Sequence, residues 1–184
     1  MDKFIVFDTE TPNWRNDRMC SIGISTVEDG HITGERYELI DPEEEFADFN
    51  MQLHGITPEL VAGKPRFSDI WPELRPIFEG GILVAHNAPF DMAVLAKCLG
   101  HYRISWKPNV TYACTCRMGR ICIPGSPNHK LDTLCRRLGI ELCHHNAASD
   151  SRACAELLIY YLEHGLDVSR FYRTYDLQYR RTLR

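Results

Sequence analysis

Asp8-Thr9-Glu10 closes an apolar run, Lys3-Phe4-Ile5-Val6-Phe7, whose β-branched and aromatic residues on both faces suit a central, covered strand. Side chains alternate along a strand, so Asp8 and Glu10 point the same way at its C-terminal end. That end is where ligands of open α/β sheets gather. Two carboxylates side by side repel unless a cation or a proton relieves them. Taken alone, the pair reads equally as an ordinary polar strand end.

Asp91 ends the stretch His86-Asn87-Ala88-Pro89-Phe90-Asp91, which follows a second apolar strand, Ile82–Ala85, and enters a helix. An Asp in a first helical turn stabilises the helix N-terminus with no further role. If the two strands are neighbours, however, Asp91 lies near Asp8. The third element is His145-Asn146-Ala147-Ala148-Ser149-Asp150. Cys154, Leu157 and Tyr161 follow Asp150 at i+4, i+7 and i+11, so Asp150 continues an apolar stripe that packs on the sheet. A carboxylate facing inward needs a partner, and a metal ion or a cation would serve. His145 precedes that helix and is free to project from a loop beside Asp150.

Four carboxylates and a histidine make a sufficient set for phosphoryl chemistry. Mg²⁺ and Mn²⁺ prefer oxygen ligands. Two such ions about 3.5–4 Å apart clamp the attacking and leaving oxygens of an in-line displacement. A histidine with a pKa of about 6.5 is neutral at pH 7 and above and takes a proton from water.

Positioning these groups requires a mixed α/β sheet. Strands are expected at Lys3–Phe7, at Met19–Val27, at Ile32–Ile40 after a Glu28–His31 turn, at Ile82–Ala85, and near Val110–Tyr112. Glu43-Glu44-Glu45 suits a helix start. Thr57-Pro58 caps a short helix stopped by Gly63, and Ser68 caps one to about Glu79, kinked at Pro76. Further helices are expected from Pro89 to about Gly100, Cys116 to Ile123, Leu131 to Leu138, and Ala147 to His164. Hairpin strands followed by alternating helix and strand describe a mixed sheet rather than a purely parallel one.

The 184 residues fit one domain. With 44% hydrophobic and 25% charged residues, disorder and collagen-like character are excluded. No apolar run approaches the roughly 18–20 residues of a membrane helix. Met1-Asp2-Lys3-Phe4 does not open a signal peptide, and a cytoplasmic protein with no membrane partner is expected. The net charge of −4 argues against a carpet of positive charge that grips nucleic acid nonspecifically. Eight Cys are expected as reduced thiols. Cys114-Thr115-Cys116 and Cys143-His144-His145 hint at zinc, but no C-x-x-C pair occurs, and a structural zinc is set aside. Residues 166–184 carry Arg170, Arg173, Arg180, Arg181 and Arg184, a basic tail read as solvated surface or a grip on a single strand.

Asp8-Thr9-Glu10, His86–Asp91 and His145 with Asp150, in that order, resemble the DEDDh (DnaQ-like) 3′–5′ exonuclease superfamily, with its ribonuclease-H-like fold. The likeness runs from about Phe4 to Leu162 and is greatest to the proofreading (epsilon) subunits of bacterial DNA polymerase III and their stand-alone relatives. The histidine five residues before the last Asp selects the DEDDh branch; the DEDDy branch would place Tyr where Asn146 stands. Supporting stretches are Cys20–Gly23, His54–Thr57 and Asn128–Asp132.

The resemblance implies a five-stranded ribonuclease-H-like sheet flanked by helices, an exonuclease domain over 1–165, and a tail over 166–184. It implies that Asp8, Glu10, Asp91 and Asp150 hold two Mg²⁺ or Mn²⁺ ions, with His145 as general base. Thr9 and Glu10 would lie against the terminal nucleotide, and His54, Gly55 and Ile56 would wall its base. The expected reaction removes nucleoside 5′-monophosphates from the 3′ end of DNA, with a DNA polymerase as a partner to consider. Two alternatives stand beside it: an RNA-trimming exoribonuclease of the oligoribonuclease or RNase T kind, and a non-catalytic accessory or nucleic-acid-binding module. The chain departs from many relatives at Thr11-Pro12-Asn13-Trp14-Arg15, where they carry Gly, and at Cys114, where they carry Asp.

Overall fold

A computed structural model describes residues 3–178. Its strands are β1 (Phe4–Glu10), β2 (Ser21–Glu28), β3 (His31–Leu39), β4 (Ile82–Ala85), β5 (Asn109–Cys114) and β6 (Arg173–Asp176). They form one sheet in the order β3-β2-β1-β4-β5-β6. β1, β4 and β5 run parallel to one another, while β2, β3 and β6 pair antiparallel with their neighbours. The sheet is mixed, as expected, but has six strands rather than five. The extra strand comes from the stretch read as a tail: β6 pairs with β5 from Asn109↔Asp176 to Tyr112↔Arg173, and Val168 just before it is buried. Arg180, Arg181 and Arg184 lie outside the described residues.

Period-two alternation in β1 sorts the core into two layers. Ile5 and Phe7 join Trp71, Leu74 and Phe78 of α3 (Phe67–Glu79) and Met92 and Leu95 of α4 (Pro89–His101). Phe4 and Val6 join Leu134 of α6 (Leu131–Leu138) and Leu157, Leu158 and Tyr161 of α7 (Ala147–Glu163). The remaining helices are α1 (Asp48–His54), α2 (Pro58–Val61) and α5 (Thr115–Cys122).

Two helix starts differ from expectation. Glu43–Glu45 do not begin a helix; α1 starts at Asp48, and Glu44 instead pairs with Arg15 and Arg18 while Glu43 accepts from the Tyr102 hydroxyl. Ser68 does not cap α3, which begins at Phe67, with the Asp69 carboxylate accepting the Arg66 backbone N–H at 3.0 Å. Thr57-Pro58 does open α2, and all eight cysteines are free thiols. No described helix is long and apolar enough to cross a membrane.

Candidate active site

Parity along β1 decides which carboxylate meets which helix. Asp8 and Glu10 share the face of Phe4 and Val6, the side that α7 covers, whereas Thr9 faces α4. Gly23 of β2, paired with Asp8, lets α7 come close: a Cβ there would sit 1.9 Å from the Ala147 carbonyl oxygen. The missing side chain seats the first turn of α7 on the sheet beside Asp8. Asn146 caps that turn by accepting the Ser149 N–H at 3.1 Å, and Asp150 follows, 3% exposed.

Carboxylate oxygens of Asp8, Glu10 and Asp150 all lie within 4.8 Å of one another. Asp91 joins them from the α4 side. Its Oδ1 accepts the Thr9 backbone N–H at 3.1 Å and the Thr9 hydroxyl at 2.9 Å, so it ties the start of α4 to β1. Among the described residues no Lys or Arg forms an ion pair with any of the four; the basic side chain beside Asp150 is His144, whose Nδ1 lies 3.3 Å from its Oδ2.

Burial and mutual repulsion push these acids toward their protonated forms. Asp8 is raised well above the usual carboxylate range by burial, then by Asp91, Asp150 and Glu10. Glu10 is pushed up to about 8 by burial, then by Asp150 and Asp91. Burial raises Asp91 to about 7 against its Thr9 hydrogen bonds, and raises Asp150 against the pull of His144. Such a set fits a hard divalent cation, which prefers oxygen donors and would remove the repulsion.

His145 lies just before α7 at a φ of 65°, a left-handed conformation uncommon outside glycine. Its backbone N–H donates to Asp150 Oδ2 at 3.0 Å, fixing the loop beside the carboxylates. Partial burial, and then His144, lower its pKa, so the ring is a neutral base at pH 7.

The five groups open into a cleft of about 960 Å³ that Thr9 also lines. His54, Gly55 and Ile56, at the end of α1, are outside its lining. His54 Nδ1 accepts the Ile56 N–H at 3.0 Å, which leaves Nε2 to donate to the Thr11 carbonyl, also at 3.0 Å. Gly55 ends α1 at a φ of 72°, and Ile56 is buried with Cys20 and Val61. The cleft face one turn earlier carries Phe49, Asn50 and Leu53.

Sequence reasoning missed most of the cleft's lining. Trp14, Phe49, Leu53 and Phe90 are exposed apolar side chains that all line it; Trp14 is 80% exposed. Arg120 and Lys130 line it as well and, among the described residues, form no ion pair. Trp14, Phe90 and Lys130 stand in stretches singled out in the sequence for other reasons; for Phe49, Leu53 and Arg120, exposure leaves no trace in residue type. His86 follows the last residue of β4. It accepts from the Thr115 hydroxyl and donates to the His129 carbonyl, both at 2.9 Å, tying the end of β4 to α5 and to the loop before α6. Burial lowers its pKa to about 4 and keeps it neutral.

The RNase_T (Exonuclease) family model matches residues 5–158. The chain is 31% identical over 159 residues to the PolC-type DNA polymerase III of Halalkalibacterium halodurans, covering 85% of this chain and 11% of that protein. It is 33% identical over 161 residues to the same polymerase of Oceanobacillus iheyensis, with the same coverage. It thus spans about a tenth of the length of these relatives. Among solved structures it resembles Exonuclease X in complex with 5′ overhanging duplex DNA, at 26% identity and a TM-score of 0.75, covering 91% of this chain and 96% of that one. The nuclease domain of 3′hExo, a DEDDh family member bound to rAMP, shares the fold at 16% identity and a TM-score of 0.77, over 95% and 96% of the two chains. A family match of this extent settles membership: the chain is an exonuclease domain that belongs to the RNase_T family, within the DEDDh superfamily.

Proposed function

We propose that this domain hydrolyses the terminal phosphodiester at the 3′ end of DNA and releases nucleoside 5′-monophosphates. The observation that carries the reading is the set of four uncompensated carboxylates beside a neutral histidine in an open cleft. Asp8, Glu10, Asp91 and Asp150 would hold two Mg²⁺ or Mn²⁺ ions. Bound there, such ions polarise the phosphodiester and acidify the attacking water.

The chain's own groups do the rest. His145 takes a proton from the attacking water as its oxygen bonds to phosphorus, and the P–O3′ bond breaks. The 3′ oxygen left on the shortened strand is then protonated by solvent. The Asp91–Thr9 bonds fix the strand end against which the terminal nucleotide lies. Trp14, Phe49, Leu53 and Phe90 offer apolar surface to unpaired bases, which stack on such side chains whatever their sequence. His54 would support that surface by bonding the Thr11 carbonyl. The PolC-type relatives make a DNA polymerase the partner this reading favours, and the eight free thiols suit a cytoplasmic setting.

The test is a 5′-labelled single-stranded DNA and an RNA of the same sequence, each incubated with Mn²⁺ and then with EDTA. A ladder shrinking from the 3′ end of DNA, and lost in EDTA, is expected. Faster trimming of RNA would shift the assignment to an exoribonuclease, and no cleavage of either would favour an accessory module.

A further inference from the structure

The exonuclease reading uses His145 and leaves its neighbour without a role. His144 does not behave as a solvated loop residue. Its ring stacks on that of His145, with centroids 3.9 Å apart and an interplanar angle of 27°. Its Nδ1 lies 3.3 Å and 3.4 Å from the two oxygens of Asp150. One ligand atom from each of His144, His145 and Asp150 falls within 4.8 Å of the others, a cluster separate from Asp8, Glu10 and Asp150 but sharing Asp150 with it. We propose that His144, His145 and Asp150 form a second metal site, selective for a borderline cation such as Zn²⁺, whose occupancy silences the nuclease.

Donor chemistry separates the two clusters. Imidazole and carboxylate together suit Zn²⁺, with bonds of about 2.0–2.2 Å, whereas Mg²⁺ and Mn²⁺ favour the all-oxygen set beside it. Bonds of that length need donor atoms within about 4.4 Å of one another, so small ring movements close the site. Three protein ligands leave a position for water. Cys143 stays outside the cluster, so the Cys143-His144-His145 run supplies two ligands rather than three.

The loop is already held in shape. The Cys143 N–H donates to Ser149 Oγ at 2.8 Å and the His145 N–H to Asp150 Oδ2, so two bonds from the loop backbone fix it on the first turn of α7. The left-handed φ of His145 is part of that shape. The His144 side chain is 38% exposed, which gives an ion entry from solvent.

An ion there takes the lone pair with which His145 accepts a proton, and draws an Asp150 oxygen from the carboxylate set. Zn²⁺ and the activating cation therefore compete through Asp150. The silencing rests on the exonuclease reading; the binding does not.

The experiment titrates Zn²⁺ against a coloured chelator and records the visible spectrum of the Co²⁺ form, for wild type, His144→Ala and Asp8→Asn. Zn²⁺ binding by wild type and Asp8→Asn is expected, with weakening of at least about tenfold in His144→Ala, since loss of an outer-shell partner alone costs 10–100-fold. The Co²⁺ bands of nitrogen ligation should fade in His144→Ala, and His144→Asn serves in its place should that variant misfold. Unchanged Zn²⁺ affinity in the His144 variant, or its loss in Asp8→Asn, overturns the proposal. In parallel, Zn²⁺ should inhibit Mn²⁺-supported cleavage by wild type at least about tenfold more potently than cleavage by the His144 variant. Inhibition independent of His144 defeats this site and leaves the nuclease reading intact. Binding that depends on His144 in a protein that cleaves nothing leaves the metal site standing and defeats the nuclease reading.

Discussion

Charge is handled in opposite ways on the floor of the cleft and on its rim. On the rim, the loop over residues 11–18 carries Arg15, Asp17 and Arg18, and each is compensated. Arg15 pairs with Glu44, and Arg18, only 8% exposed, reaches Asp17, Glu44 and His101. Lys97 donates to the carbonyls of Arg15 and Asn16 at 3.0 Å and 3.2 Å. On the floor, Asp8, Glu10, Asp91 and Asp150 crowd together with neither Lys nor Arg paired to them among the described residues. Paired charges hold a loop in shape, whereas unpaired charges of one sign cost stability until something from outside relieves them. The fold completes its own electrostatics where it needs rigidity and leaves them incomplete at the carboxylates proposed to hold an ion.

The contrast can be sharpened from the floor side. Asp8→Asn should reduce cleavage to background and also raise the melting temperature in EDTA, because burial and its acidic neighbours hold the Asp8 carboxyl above its usual range, a cost that a neutral amide does not carry. Persistent cleavage, or a metal-free protein less stable than wild type, would break the contrast. His145→Ala should slow cleavage by roughly 10²–10⁴-fold, the usual worth of a general base, with Mn²⁺-induced stabilisation retained. An unchanged rate in single-turnover assays would pass the proton to another group.

From the rim side, Arg18→Met should act on stability rather than chemistry. Removing a buried cation leaves Asp17 and Glu44 short of a partner and should cost about 3–5 kcal/mol in denaturant unfolding. The kcat of the folded fraction should stay near wild type. A large loss of kcat with little loss of stability would place Arg18 in the catalytic machinery instead.

The floor was legible in the sequence because it depends on local rules. Strand parity aligned Asp8 with Glu10, and helix spacing turned Asp150 inward. What brings the pieces together was not legible. Gly23 matters only because Ala147 rests on it, a contact between positions 124 residues apart in the chain. Glu43–Glu45 resembled a helix start because their partners Arg15, Arg18 and Tyr102 come from distant segments. The sixth strand hid in a basic stretch with a burial pattern too exposed to carry an alternating signal. The apolar lining of the cleft was hidden for a related reason: an exposed Trp14 or Phe49 has the residue type of a core residue.

The central claim is that the floor's carboxylates hold protons above their usual range until a cation replaces them, and pH reads it most directly. Glu10, held up to about 8 in the fold, keeps a proton at pH 7 that an unfolded Glu has lost, and Asp8 is raised likewise. The native state then binds more protons, so stability falls as pH rises, by up to about 1.4 kcal/mol per pH unit for each proton retained. His54, His86, His101 and His145, all lowered, act with the opposite sign and only below about 6.5. The raised thiols Cys20, Cys98, Cys116, Cys122, Cys135 and Cys154 enter only above about 8.5. Melting temperatures between pH 7 and 8 therefore isolate the carboxylates. In EDTA, wild type should lose stability across that interval, Asp8→Asn should lose less, and saturating Mn²⁺ should raise the curve and flatten it. A wild-type melting temperature in EDTA that is flat over the interval, matched by Asp8→Asn and unmoved by Mn²⁺, would contradict the account.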